Sequence, residues 1–461
     1  MKEPTRSLNQ YAELYRAHSD TINTHSAKAL NQLREEALKV VESTLLPAKG
    51  SEDYEKTSLA EMFAPDYGLN ITRLNMTADV AAAFHCGVPA MSTYLAVTVN
   101  DTVHLSRGLE RLPEGVTFTS LKVLAEKDPE WMASHYGTVA DIKRPETALN
   151  TLLAQDGIAI HIAKGVKLQK PLQIVNIMAG DKPVMAVRRV LIVADEDSEC
   201  QILVCDHSDM NGGARSMSSS VTEVIAGRNA RVDIYDMEEA CDGNSRCAAT
   251  AVRQHEGSHV LIDPITLSCG ATRNDFDIEL NGEHCETFLG GMAIGGGQQR
   301  IDNHTSLRHN APRCTSRQMF KYVLADEANG AFEGAIYVAP GAIHTESYQS
   351  NRNILASTGA KMHSKPQLEI YCDDVKCSHG SATGQLDQEA LFYMRTRGIP
   401  EKEARTMLMQ AFMADVIDSV RMDGLNDRLR HLVDRRLTGE SADCGDCTAS
   451  CRAAGENEKN I

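Results

Sequence analysis

Apolar residues change their spacing twice along this chain. In residues 1 to 45 they recur at three and four spacing. "ALNQLREEALKVVESTLL" puts Leu30, Leu33, Ala37, Leu38 and Val41 on one stripe, which predicts amphipathic helix. Residues 58 to 156, beyond the polar link "PAKGSEDYEK", mix strand and helix signals in no clear order. From about residue 157 helical spacing disappears. Short β-branched-rich runs such as "RRVLIVA", "CQILVC", "ARVDIYDM", "FDIEL" and "AFEGAIYVA" take over, separated by Gly, Asn and Asp clusters.

These runs repeat weakly. In "DEDSECQILV", "AGRNARVDIY", "LNGEHCETFL" and "DEANGAFEGAIYV" a polar or Gly/Asn turn leads to a small residue and then to alternating faces. A β-solenoid gives this pattern, because each coil buries its inward side chains by stacking on the next. A β-sandwich is the rival, since periodicity alone does not separate the two. Gly295 to Gly297 read as a tight turn or bulge between strands.

Helix returns at the C-terminal end. Asp387 is placed as an N-cap, with Leu386 and Leu391 as a hydrophobic staple around it, and Gly398 follows the last turn. Pro400 opens a second helix, in which Ala404, Met407, Leu408, Ala411, Phe412, Val416 and Val420 form one apolar face. That face either packs on the β body or offers a groove to a partner. The organisation read from the chain is a helical and mixed region over 1–156, a β core over 157–385, a helical region over 386–437 and a Cys-bearing tail over 438–461.

Composition narrows the classes. Hydrophobic residues make up 42% and charged residues 24% of 461, which is globular rather than disordered. A net charge of −16 argues against nucleic acid as a partner, because phosphate neutralisation needs excess Lys and Arg. "MKEPTRSLNQYAELY" has no apolar signal-peptide core, and "VAAAFHCGVPAM" is too short to span a bilayer. A cytoplasmic protein without membrane contact is expected. Its thirteen cysteines should then be reduced, most of them as small buried hydrophobes. No P-loop, G-x-S-x-G elbow, H-E-x-x-H pair or helix-opening G-x-G-x-x-G occurs, so the chain is not expected to bind a nucleotide itself.

Two stretches carry candidate chemistry. In "LEIYCDDVKCSHG", Leu368, Ile370 and Cys372 alternate on one parity and Val375, Cys377 and His379 on the other, so a bulge or corner falls at Asp373 and Asp374. In extended backbone Cys377 and His379 share a face. A thiol and an imidazole can bind a soft metal, yet two ligands do not close a tetrahedral site, and a packed thiol beside a hydrogen-bonded histidine is the plainer reading. The two acids face opposite ways on a strand and suit a turn better than acid/base chemistry. "CGDCTASC" places Cys444, Cys447 and Cys451 at a spacing that can hold zinc or an iron-sulfur cluster, with no fourth ligand close by. His304 and His309, in "NHTSLRHN", read as satisfied polar groups.

"KPQLEIYCDDVKCSHGSATGQLDQEALFYMRTRGIPEKEAR" (365–405) and "DNHTSLRHNAPRCTSRQMFKYVLADEANGAFEGAIYVAPGA" (302–342) resemble the SufD family of iron-sulfur cluster assembly scaffolds. The resemblance spans roughly residues 155–425. It implies a mainly β fold, with a right-handed parallel β-helix core flanked by N-terminal and C-terminal helical regions. It implies pairing with a SufB-like subunit, recruitment of a SufC-like ABC ATPase through the C-terminal helices, and no catalysis by this chain alone. A homodimer is the alternative pairing. It also implies that a transient iron-sulfur cluster forms at the interface between subunits, with His379 as a ligand or proton-handling group and Cys377 as a weaker candidate. The family supplies no role for the Cys444, Cys447 and Cys451 tail, and the chain shows no flavin motif. Two other functions compete. One is a β-helix polysaccharide lyase or hydrolase using Asp373 and Asp374, which a single Trp and 5% aromatic content disfavour. The other is an independent metal carrier acting through the tail cysteines.

Overall fold

A computed structural model describes residues 8–46, 56–75, 92–210 and 214–438. Strands dominate it. From Ile158–Ile162 onward, consecutive strands alternate between a ten-stranded and a nine-stranded sheet, and each pairs in parallel with the strand two places further along the chain. Ala271 pairs with Arg300, Arg300 with Asn329, and Asn329 with Lys361, so one coil takes 29 to 32 residues here. This is the parallel β-solenoid, and the β-sandwich alternative is excluded because sandwich sheets are antiparallel.

The weak sequence repeat has a backbone cause. Asp197, Asn229, Gly257, His284, Arg313 and His344 all have positive φ, and each lies two residues before a strand of the ten-stranded sheet. The residue between turn and strand is Ser198, Ala230, Ser258, Cys285, Cys314 and Thr345 in turn, every one fully buried. A left-handed turn followed by a small stacked side chain is therefore the corner of each coil. Cys285 and Cys314 belong to that stack, and Cys200, Cys205, Cys247 and Cys269 are also buried, in keeping with cysteine used as a small hydrophobe.

Inward side chains fill the space between the sheets, among them Ile174, Ile202, Ile234, Ile262, Phe276, Leu289, Phe320 and Phe332. Each such side chain taken from water stabilises the fold by about 1.5–3 kcal/mol. Both sheets also carry apolar outer faces, and helices cover them. Ala148, Leu149 and Leu152 of the helix Pro145–Leu153 pack with Met185, Val187 and Met217 on the nine-stranded sheet. On the ten-stranded sheet, Met409, Met413, Val416, Leu429 and Val433 pack over Val175, Tyr235, Leu261 and Met292.

Two helical expectations are corrected. The stripe read as one helix around Leu33 breaks there, into Lys28–Asn31 and Arg34–Ser43. Just after the break, Arg34 is buried and donates to the carbonyls of Thr151, Leu152 and Ala154 where Pro145–Leu153 ends. A cation there satisfies carbonyls that the helix leaves unpaired. In the helix Glu401–Ile417 the packed side is Ala404, Met409, Met413, Val416 and Ile417, while Met407, assigned to the apolar face, is 48% exposed.

Elsewhere the C-terminal reading holds. Asp387 Oδ1 accepts from Glu389 N at 2.9 Å and Ala390 N at 3.1 Å. Leu386 and Leu391 are both buried, and Gly398 has φ +87° after the helix Gln388–Thr396. No described helix is long and apolar enough to cross a membrane. The stretch 80–91 lies outside the described residues.

Candidate functional site at the open end of the solenoid

The two ends of the solenoid differ. At its start the antiparallel strands Thr102–Leu105 and Val116–Ser120 close the two sheets. At its finish the outermost strands are Lys361–Ile370 and Lys376–Gly384, and among the described residues neither has a strand on its far side. The "DDVKCSHG" stretch forms the corner between them and the first half of the last strand.

Asp373 and Asp374 sit in the bend, as the parity shift predicts. Asp374 shapes it. Its carbonyl accepts from His344 N at 2.6 Å and its carboxylate lies 3.1 Å from His344 Nδ1, tying this corner to the one below. The turn brings both parities onto one patch, where Leu368, Cys372, Val375 and Cys377 pack with Ile336 and Val338. Burial pushes the Cys377 thiol above its usual range, so it is a poor thiolate as it stands.

His379 is exposed on the same face as Cys377, one coil above Gln349 in register. Gln349 is buried, and neither of its amide atoms has a hydrogen-bond partner. Room for the amide comes from Gly334, where a Cβ would lie 2.0 Å from Gln349 Nε2. An unpaired buried amide costs about 1–3 kcal/mol, and this one lies on a stretch of the inner face that also buries Gln318, Asn351 and Asn353.

The free backbone groups of the last strand follow the same parity. Lys376 N donates to Thr345 O at 2.8 Å, so alternation turns the N–H groups of Cys377, His379 and Ser381 toward the open side. In the other terminal strand Lys361 N donates inward to Ala328 O, and the same alternation puts Pro366 at an outward position, where it offers no N–H. The edge at Lys376–Gly384 is thus the uninterrupted one. Its inward side chains expose a thiol, an imidazole and the hydroxyls of Ser381 and Thr383, with Ser381 Oγ 2.8 Å from Ser364 Oγ.

The other sequence candidates lie elsewhere. His304 is on the outer face of the nine-stranded sheet, 2.9 Å from Asp302 and 3.7 Å from Glu333. His309 is inside the solenoid with Nε2 2.9 Å from Ser316 Oγ, and burial pushes its pKa down to about 4, so it is uncharged at neutral pH. The expectation of satisfied polar groups fits His304, whereas His309 is satisfied at Nε2 alone, its buried Nδ1 having no hydrogen-bond partner. Cys444, Cys447 and Cys451 lie outside the described residues. Among the described residues no group of three or more His, Cys, Asp and Glu side chains is arranged to hold a metal ion. Gln349 and Gly334 escaped the sequence reading, because nothing in the local pattern shows which residue of one coil lies beneath His379 in the next.

Residues 176–412 match the family model described as SUF system FeS cluster assembly, SufBD core domain, and residues 5–174 match the SufBD protein N-terminal region. An iron-sulfur cluster assembly SufBD family protein of Synechocystis is 28% identical over 87% of this chain and 90% of its own length. The iron-sulfur cluster assembly protein SufD of Escherichia coli is 30% identical over 63% of this chain and 69% of its own. SufD of Bacillus subtilis is 25% identical over 72% and 77%. With a solenoid ending in an open edge where the "KCSHG" segment lies, this chain belongs to the SufBD family and has a role in iron-sulfur cluster assembly.

Proposed function

We propose that this chain is a non-enzymatic scaffold for iron-sulfur cluster assembly, with the cluster as its cargo. It pairs through the open end of its solenoid with a SufB-like subunit and presents His379 to the cluster forming between them. The observation that carries this reading is the unpaired strand Lys376–Gly384, which offers backbone donors and acceptors on the same edge that exposes His379. An exposed strand edge is a template for pairing with another chain. Its polar inner face argues for a partner that brings chemistry with it rather than a simple cap.

The C-terminal helices are the docking region for a SufC-like ATPase. Their inner side is spent on the ten-stranded sheet, while Phe392, Tyr393 and Met407 remain largely exposed on the outer side. Exposed aromatic side chains of this kind mark interfaces. The ATPase supplies the nucleotide chemistry for which this chain has no P-loop.

Affinity purification of the tagged chain from its own cell tests the arrangement. Wild type is expected to bring down one SufB-like and one ATPase subunit, whereas Ser381→Pro, which removes an outward N–H, is expected to lose the SufB-like subunit and keep the ATPase. Recovery of the chain as a homodimer alone, or equal recovery of both partners by the proline variant, contradicts the proposal.

A further inference from the structure

The corner column beside the ten-stranded sheet places two sulfurs one above the other. In order of coils it reads Ser198, Ala230, Ser258, Cys285, Cys314 and Thr345, and the fourth and fifth members carry thiols. Glu286 and Thr315, the residues that follow them, are in-register partners, and Thr315 N donates to Cys285 O at 2.9 Å. The two cysteines are therefore in step on neighbouring coils, and both belong to the same interior cluster. Strands spaced about 4.8 Å apart bring such a pair within the Cα separation of about 4.4–6.8 Å that a disulfide spans.

The pair is chemically unlike the other buried cysteines. Burial raises the thiols of Cys200, Cys205, Cys247 and Cys269 above their usual range. Cys285 goes the other way: the Cys314 thiol hydrogen-bonded against it lowers its pKa to about 7, and Cys314 is raised in exchange. Each sulfur also has a carbonyl to take its proton, His255 O 3.1 Å from Cys285 Sγ and Gly282 O 3.1 Å from Cys314 Sγ. Packing as small hydrophobes accounts for the burial of both. It does not account for a thiolate-prone sulfur resting on a second thiol, which is how a nucleophilic cysteine sits beside the one that resolves it. A single turn covers them, since His284 and Arg313, each the residue just before, are exposed.

We propose that Cys285 and Cys314 are a peroxide-oxidised pair whose reversible disulfide staples two consecutive coils at their corner. Cys285, as the thiolate, attacks one oxygen of hydrogen peroxide. The O–O bond breaks, and the departing hydroxide takes up the proton that Cys285 released and leaves as water. The Cys314 sulfur then attacks the Cys285 sulfenic acid, the S–O bond breaks, and the oxygen leaves with the Cys314 proton as a second water. Two electrons pass from the thiols to the peroxide, and a dithiol reductant returns them. The crosslink keeps the two coils together in the unfolded chain and so stabilises the folded one. None of this depends on how the open end is used.

The test treats the reduced full-length chain with hydrogen peroxide, blocks remaining thiols with iodoacetamide and maps tryptic peptides without reductant. The expected product joins peptide 274–300 to peptide 314–317 with the loss of two hydrogens. It should disappear with dithiothreitol and raise the melting temperature by several degrees while present. Serine already occupies this corner as Ser198 and Ser258, so single serine variants are expected to fold. Cys314→Ser should leave Cys285 as a sulfenic acid that dimedone traps, whereas Cys285→Ser should leave Cys314 unreacted. Should either variant not fold, the wild-type map decides alone. A folded wild-type chain that forms no such crosslink, or forms it only after unfolding in urea, overturns the proposal, as does dimedone labelling of Cys314 in place of Cys285.

Discussion

Glycine at position 334 exists for a side chain that belongs to a different strand. A methyl group there would meet Gln349 Nε2 at 2.0 Å, so Gly334→Ala must push the amide aside in a packed interior. Overpacking of this kind costs about 1–3 kcal/mol. Chemical denaturation should report that loss, and adding Gln349→Ala should recover most of it; a Gly334→Ala protein as stable as wild type would show that the amide is not held there. At this scale the sequence was only half legible. Cys377 and His379 are neighbours at two-residue spacing, so alternation alone puts them on one face. Gln349 is 30 residues from His379, and coil length varies from 29 residues between Ala271 and Arg300 to 32 between Asn329 and Lys361. Without a fixed period, no count along the chain can name the residue beneath.

Between elements, the seam of interest is that of the C-terminal helices and the ten-stranded sheet. Asp263 lies there on the face shared by Leu261 and Ile265, fully buried, with neither carboxylate oxygen partnered. Burial raises its pKa to about 8, so the folded chain holds a proton that the unfolded chain releases near pH 4. The folded state therefore binds more protons between those values, and the stability linked to Asp263 is complete below about pH 4 and is lost as pH rises toward about 8. His309 works in the opposite sense, since its folded pKa is lowered to about 4. Subtracting curves isolates the aspartate: Asp263→Asn is expected to gain stability relative to wild type as pH rises from 5 to 8, measured by urea unfolding at each pH. A difference that stays flat with pH would contradict the burial account. Helix existence and capping at this seam were legible through Asp387, Leu386, Leu391 and Gly398. The packed face was not, because Met407 and Met409 are equally apolar and only the position of the sheet decides that Met409 goes in.

At the scale of the whole fold, the solenoid is closed at one end and, among the described residues, open at the other. Stacked repeats need a terminal cap to remain soluble and single. The antiparallel strands Thr102–Leu105 and Val116–Ser120 supply it at the start, and a second chain is the proposed cap at the finish. The repeat of a turn, a small residue and an alternating run made a solenoid one of two readings, and the family resemblance, not the repeat, favoured it over a sandwich. The ordering of residues 58–156 was not readable, because Tyr94–Val99 and Val116–Ser120 are held by sheet partners, Leu172–Gly180 and Ile158–Ile162, that lie far along the chain. The central claim is that the open end is where a cluster forms and that His379 takes part in forming it. Its most direct measurement is the iron and acid-labile sulfide content of complexes purified anaerobically with wild type and with His379→Ala. His379 is exposed and its removal should leave subunit recovery unchanged, while cluster content per complex is expected to fall at least several-fold. Equal cluster content at equal recovery of the complex would contradict the account.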